Sequence, residues 1–224
     1  MTGTAPPPVV LIVEDHALLS TTLSIALRGH GVEARRCETG TPDAVRSITA
    51  GVVPGVALVD VDLGKGPAGE ALSGVDLVPV LAGDGWRVVM MTGSAPEGEI
   101  ARAIIAGAVG WVHKTAPFEE LLTAVLDAVA GRPVLSETER LRFVRVHHTE
   151  QARTRARRAG LDRLTARERE VLEGLAAGKR AATIAEEWVV SLATVRAQIR
   201  AILAKLGVSS QLEAVALLRE LKDE

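Results

Sequence analysis

The chain opens on an alternation that few folds can accommodate. Four short runs rich in β-branched and other apolar residues, at 9–13, 56–59, 88–91 and 109–113, predict buried strands, with a weaker fifth candidate at 32–37. Between and after them lie helical stretches: one up to Arg28, one opened by Thr41-Pro42, and others at 73–81, 99–106 and 118–130. Gly29, Gly107 and Gly131 supply stops, and Thr41 with Pro42 is a helix start by cap and fixed φ. Five strands alternating with five helices predict an α/β domain with a doubly wound five-stranded parallel sheet.

The chemistry gathers at the carboxyl ends of those strands. There stand Glu14 and Asp15, then Asp60, Thr92 and Lys114. In open α/β sheets the ligand crevice lies outside those ends, at the switch point of strand order. Three carboxylates meeting there repel one another unless a cation sits between them, and an all-oxygen set favours Mg²⁺. A carboxylate beside such an ion can attack a phosphoryl donor and become an acyl phosphate, which Lys114 and the Thr92 hydroxyl are suited to stabilise. Any one strand-end carboxylate is more often a solvated loop residue; five suitable residues at the strand ends are not so easily explained.

With Val13-Glu14-Asp15-His16, Leu58-Val59-Asp60, Met91-Thr92-Gly93-Ser94 and Lys114, the stretch 8–131 resembles the receiver domain of bacterial response regulators. The resemblance implies that Asp60 is the phosphorylated residue. Mg²⁺ would be held by Glu14, Asp15, Asp60 and the backbone carbonyl of Asp62. Trp111, three residues before Lys114, takes the place of the family's rotameric switch. Two departures stand out. Gly64 occupies the position four after the acceptor, where the family usually has Pro, and 64–74 is some six residues longer than usual. A Gly-rich loop, flexible or serving a special contact, is expected there.

Charge divides the chain. Residues 1–135 hold 9 basic and 15 acidic residues, whereas 136–224 hold 17 and 13. An acidic front and a basic back suit a metal- or phosphate-handling domain joined to a nucleic-acid binder. The scarcity of aromatics (three Trp, two Phe, no Tyr) argues against base-stacking RNA binders and carbohydrate clefts. The lone Cys37, the lack of a long apolar run and the absence of a secretory signal pattern suggest a soluble protein of the reducing cytoplasm.

Residues 132–160 read as a basic linker. His147-His148 lies near Glu150, but without a further ligand cluster it does not make a metal site. Beyond it, Thr165-Ala166-Arg167-Glu168 and Ser210-Gln211-Leu212-Glu213 are capping boxes. A short helix is expected at 181–188, and Ser191 caps another at 192–206, stopped by Gly207. In that helix Val195, Ile199, Ile202 and Leu206 form one stripe, leaving Ala193, Arg196, Ala197 and Arg200 on another face. Arginines one turn apart flanked by alanines suit a major groove, although a solvated basic face looks the same.

The pattern Leu164-Thr165-Ala166-Arg167-Glu168-Arg169-Glu170-Val171-Leu172, with Ile184-Ala185-Glu186, Thr194-Val195-Arg196 and Lys205-Leu206-Gly207-Val208, resembles the LuxR-type helix-turn-helix over 161–221. The resemblance implies that Arg196, Ala197 and Arg200 face bases and that Thr194 and Lys205 face the DNA backbone. Val189 stands where the turn usually has Gly. A β-branched residue is strained at positive φ, so a differently built turn is expected.

The whole therefore resembles NarL/LuxR-type response regulators: a DNA-binding transcriptional regulator controlled at Asp60 by a histidine kinase, with Mg²⁺ as cofactor. It would bind double-stranded promoter DNA as a homodimer and would not be an enzyme. Two rivals remain open. One is a phosphate-independent regulator whose receiver serves only for dimerisation or docking. The other is an Mg²⁺-dependent phosphatase of the haloacid-dehalogenase type, prompted by the Asp-x-Asp of Asp60 and Asp62.

Overall fold

The computed structural model describes residues 7–220. The chain divides into two compact units after His148. In the first, β1 (Val9–Val13), β2 (Glu33–Cys37), β3 (Val56–Asp60), β6 (Arg87–Thr92) and β7 (Gly110–His113) form one parallel sheet in the order β2-β1-β3-β6-β7. The expected α/β architecture is present. Successive residues of β1 explain why its run is apolar throughout: Val10 and Ile12 enter one core, Leu11 and Val13 the other. Helices α1 (Ala17–Gly29) and α5 (Phe118–Val129) cover the first face through Leu23, Leu27, Leu121 and Val125. Helices α2 (Pro42–Thr49), α3 (Val78–Gly83) and α4 (Glu97–Ala106) cover the second through Val45, Leu81 and Ile104. The chain leaves β1 for β2 and returns to β3 on the other side, so the switch point lies between β1 and β3.

Residues 62–73 depart from the expected loop. They form an antiparallel hairpin, β4 (Asp62–Lys65) with β5 (Ala71–Ser73), closed by Gly69 N–H donating to the Gly66 carbonyl at 2.9 Å. Leu63, 4% exposed, anchors it in the core. A 3-10 turn at Gly74–Leu77 follows, and α3 begins only at Val78, not at Ser73. That late start puts Pro79 in the first turn, where its missing N–H costs nothing. Gly74 is required: a Cβ there would lie 1.8 Å from the Asp60 carbonyl oxygen.

The basic segment beyond the sheet is largely helical, as α6 (Glu137–Asp162), whose first half belongs to the first unit. In the second unit α7 (Ala166–Ala176), α8 (Ala181–Glu187), α9 (Leu192–Leu206) and α10 (Gln211–Glu220) close around Val171, Leu172, Ile184, Leu217 and the expected α9 stripe. Thr165 and Glu168 make the reciprocal capping box. At α10 it is only half realised: Ser210 Oγ accepts from Glu213 N–H, but the Glu213 carboxylate reaches back to Ser209 instead. Val189 does take the left-handed conformation, at φ 55°, alone among described non-glycine residues. The turn is therefore not built differently. Val190 N–H donates to the Ala185 carbonyl and Val189 N–H to that of Glu186, which is a Schellman closure of α8 with Val in the glycine position.

Candidate functional site

Strand order brings the carboxyl ends of β1, β3, β6 and β7 together around a cavity of about 590 Å³, lined by Asp15, Asp60, Thr92 and Lys114 with Gly64 and Leu72 of the hairpin. Glu14, Asp60 and Thr92 are buried. Lys114 is bonded into the neighbouring strand by donation from its backbone N–H to the Thr92 carbonyl, 2.7 Å. Its Nζ stands 2.5 Å from Asp60 Oδ2 and 3.0 Å from Glu14 Oε1. Glu14 Oε2 lies 2.7 Å from the same ammonium as an ion pair, but outside hydrogen-bond geometry, so this buried oxygen has charge neutralisation without a directed bond. Distance decides here: the oxygen is paired electrostatically and still has a lone pair to offer.

One ammonium between two buried carboxylates leaves a net negative pocket. Burial pushes the Asp60 carboxyl up to about 6, aided by the charge of Glu14 and opposed by Lys114. Burial disfavours the Lys114 ammonium, yet Asp60 and Glu14 outweigh it and hold the group above its ordinary value. His16, which the sequence reading did not place in the site, puts Nδ1 2.9 Å from Glu14 Oε1 and 2.8 Å from Asp15 Oδ1. Those acids, Glu14 first, raise its pKa. Its adjacency to the acid pair was the available signal. Ligand atoms of Glu14, Asp15, His16 and Asp60 lie within 4.8 Å of one another; the three carboxylates are donors that fit a hard divalent cation, and the imidazole is not one of that kind. Asp62 also lines the cavity, with its carboxylate turned to accept from Gly64 N–H at 3.0 Å. Thr92 Oγ1 accepts from the amides of Ser94 and Ala95, at 3.2 and 2.7 Å. Trp111 is half-buried, edge-on to Phe143.

Another cavity, of about 440 Å³, lies at the amino ends of the strands beside Val9, Val56 and Ala128. Its charged liners are committed: Arg35 pairs with Glu33 at 2.8 Å and Arg87 donates to the Arg132 carbonyl. The chemistry belongs to the acidic pocket.

In the second unit Thr194, Arg196, Ala197 and Arg200 are all exposed on α9. Most basic groups nearby are engaged: Arg163, Arg169 and Arg219 cap carbonyls, Lys179 pairs with Glu187, and Arg167 lies 3.4 Å over the Trp188 ring. Arg196 and Arg200 have no such partner among the described residues. Lys205 does not stand with them. Its ammonium is 2.9 and 2.6 Å from the two oxygens of Glu168, the acid of the capping box, so unlike the two arginines it is already paired within the unit.

Two family models match the chain, the response regulator receiver domain over residues 10–126 and the bacterial regulatory proteins of the luxR family over 162–218. The chain belongs to the response regulators that join a receiver to a LuxR-type helix-turn-helix, two-component DNA-binding regulators of transcription. It is 32% identical over 168 residues to the transcriptional regulatory protein DesR of Bacillus subtilis, covering 75% of this chain and 74% of that one. To the nitrate/nitrite response regulator protein NarL of Escherichia coli it is 28% identical over 220 residues, 93% of each chain. A solved structure of the RcsB response regulator of Salmonella typhimurium shares the fold, with a TM-score of 0.51 at 19% identity over 95% of this chain and 98% of that one.

Proposed function

We propose that Asp60 is the phosphoryl acceptor of this regulator and that a phosphohistidine of a partner histidine kinase is the donor. One observation carries the reading: a buried carboxylate with an ammonium at 2.5 Å, at the switch point of a parallel sheet. With its carboxyl at about 6, Asp60 is mostly ionised near neutrality and is a competent nucleophile. A carboxylate oxygen attacks phosphorus, the phosphorus–nitrogen bond to the donor imidazole breaks with its electron pair going to nitrogen, and that nitrogen takes a proton from water. Lys114 follows the charge onto the new acyl phosphate, and the Thr92 hydroxyl donates to a phosphoryl oxygen. Mg²⁺, when bound, neutralises the phosphoryl oxygens; Glu14, Asp15, Asp60 and the Asp62 carbonyl are the groups assigned to hold it.

The remaining assignments belong to the same reading. Residues 8–131 act as receiver, 132–160 as linker and 161–221 as DNA-binding domain. Arg196, Ala197 and Arg200 read base edges and Thr194 and Lys205 meet phosphates, on promoter DNA bound by a homodimer in the bacterial cytoplasm. Trp111 is the residue that moves when Thr92 is drawn to the phosphoryl group. The phosphatase alternative is disfavoured because the Asp62 carboxylate is turned to Gly64 and does not join the cluster of Glu14, Asp15, His16 and Asp60.

Incubation with Mg²⁺ and a small acyl phosphate, read by intact mass and by size, tests the proposal. A gain of one phosphoryl group, abolished in Asp60→Asn, is expected. No gain in the wild type hands the case to a phosphate-independent regulator.

A further inference from the structure

The first half of α6 does not hang free from the receiver. Phe143 is 4% exposed and Leu135 8%, both within the core under α3 and α4, and Val146 packs against the same cluster. Phe143 meets the Trp111 ring edge-on, with centroids 6.4 Å apart at 89°. Immediately before Phe143 in the chain, Arg142 places Nε 2.8 Å from Glu97 Oε1 on α4. Trp111 therefore has two neighbours of different kind. On its strand β7 it is paired with Met90 and lies two residues from His113, the partner of Thr92. Off the strand, it rests on α6.

We infer that Phe143, with Arg142, is a positioning latch: the ring of Phe143 holds Trp111 in its resting place, and movement of Trp111 releases residues 137–148 from the receiver. The inference rests on the phosphoryl reading of Asp60. The physical basis is the geometry of the contact. An edge-to-face pair is specific in angle, so a rotation of Trp111 about its side-chain bonds removes the partner that the Phe143 edge requires. Arg142–Glu97 is a solvent-exposed pair and restrains α6 only weakly. Most of the hold is thus apolar and concentrated on the residue that touches the switch. Coupling of this kind is reciprocal: a receiver freed of the latch reaches its phosphorylated conformation more readily.

Hydrogen exchange over 137–148, with α1 as internal control, is measured beside the rate of phosphoryl gain from a small acyl phosphate with Mg²⁺. In wild type, phosphoryl gain should speed exchange over 137–148 severalfold and leave α1 unchanged. Phe143→Ala should show fast exchange before phosphorylation and gain the phosphoryl group severalfold faster, whereas Phe143→Tyr should behave as wild type. Phosphoryl gain in wild type with unchanged exchange over 137–148 overturns the latch and leaves the Asp60 reading intact. Faster exchange in Phe143→Ala at an unchanged phosphorylation rate makes Phe143 merely structural and also overturns it. If wild type takes up no phosphoryl group, the Asp60 reading fails by itself, and Trp111→Ala decides the latch: faster exchange over 137–148 alone supports it, and unchanged exchange overturns it.

Discussion

Lys114 Nζ is held 2.5 Å from Asp60 Oδ2, and the same ammonium also neutralises Glu14, so one cation serves two buried acids separated from it by 54 and 100 residues of chain. Neither acid is fully compensated, and the shortfall is what makes the pocket responsive to cations, protons and phosphoryl groups.

The shortfall has a pH signature. Burial raises the folded-state pKa of Asp60 from 3.8 to about 6, so its ionisation opposes folding. The penalty is absent below about pH 4, grows between about 4 and 6, and is fully present above that window. Asp60→Asn removes it. In metal-free buffer at pH 7.5 the variant should be more stable than wild type by about 1–3 kcal/mol, and the two should converge toward pH 4. Thermal unfolding across that range checks this, and a difference independent of pH counts against it.

Divalent cation should act on the same imbalance. Binding to the folded state alone stabilises by mass action, by about 2.7 kcal/mol at a hundredfold excess over Kd. Millimolar Mg²⁺ should therefore raise the unfolding temperature of the wild type, and Asp15→Asn should weaken the effect while leaving the buried Glu14–Lys114–Asp60 arrangement in place. Identical melting curves with and without Mg²⁺ would remove the cation site from the proposal.

Lys205 and Arg196 lie on one helix but should fail in different ways. Lys205→Met strands the Glu168 carboxylate, whose pKa Lys205 and then the Thr165 amide hold below the usual range. A stability loss of about 1–3 kcal/mol is expected, and, with Lys205 proposed at a phosphate, a salt slope of DNA binding lower by about one unit. Since the Glu168 pKa is lowered, that contribution is present above about pH 4.5 and fades as pH falls below it. Arg196→Ala should leave unfolding unaltered, cost about 1–3 kcal/mol on a preferred site and relax preference at one base position. Urea unfolding and binding titrations at several salt concentrations separate the two; an unchanged salt slope for Lys205→Met would remove it from the DNA backbone.

Val189 carries strain with no burial to offset it, being 92% exposed at φ 55°. Val189→Gly relieves a left-handed cost of roughly 1–2 kcal/mol and gives back part of it through unfolded-state entropy. A net gain of about 0.5–1 kcal/mol in the second unit is expected from the urea midpoint at constant slope. Destabilisation would mean that Val189 makes contacts its exposure does not suggest.

The sequence alone determined whatever local chemistry dictates. Period and composition marked the five strands, because a sheet covered on both faces leaves β1 and β3 no polar face to show. The Thr165–Glu168 cap and the α9 stripe each follow from residues within a few positions of one another, whereas the left-handed turn at Val189 runs against its local preference. Only the tertiary structure decided the rest. The hairpin over 62–73 has no strand pattern of its own and is fixed by Leu63 sinking into the core. Residues 137–162 gave no amphipathic period, since charges surround the helix and its apolar holds on the receiver are few, Phe143 and Val146 one turn apart. Lys205 looked like a free cation until folding set Glu168, 37 residues away, against it. Local signals fix backbone conformation because propensity and capping act over one or two turns; which charges are paired is settled by contacts between distant segments, and these exist only once the chain has closed.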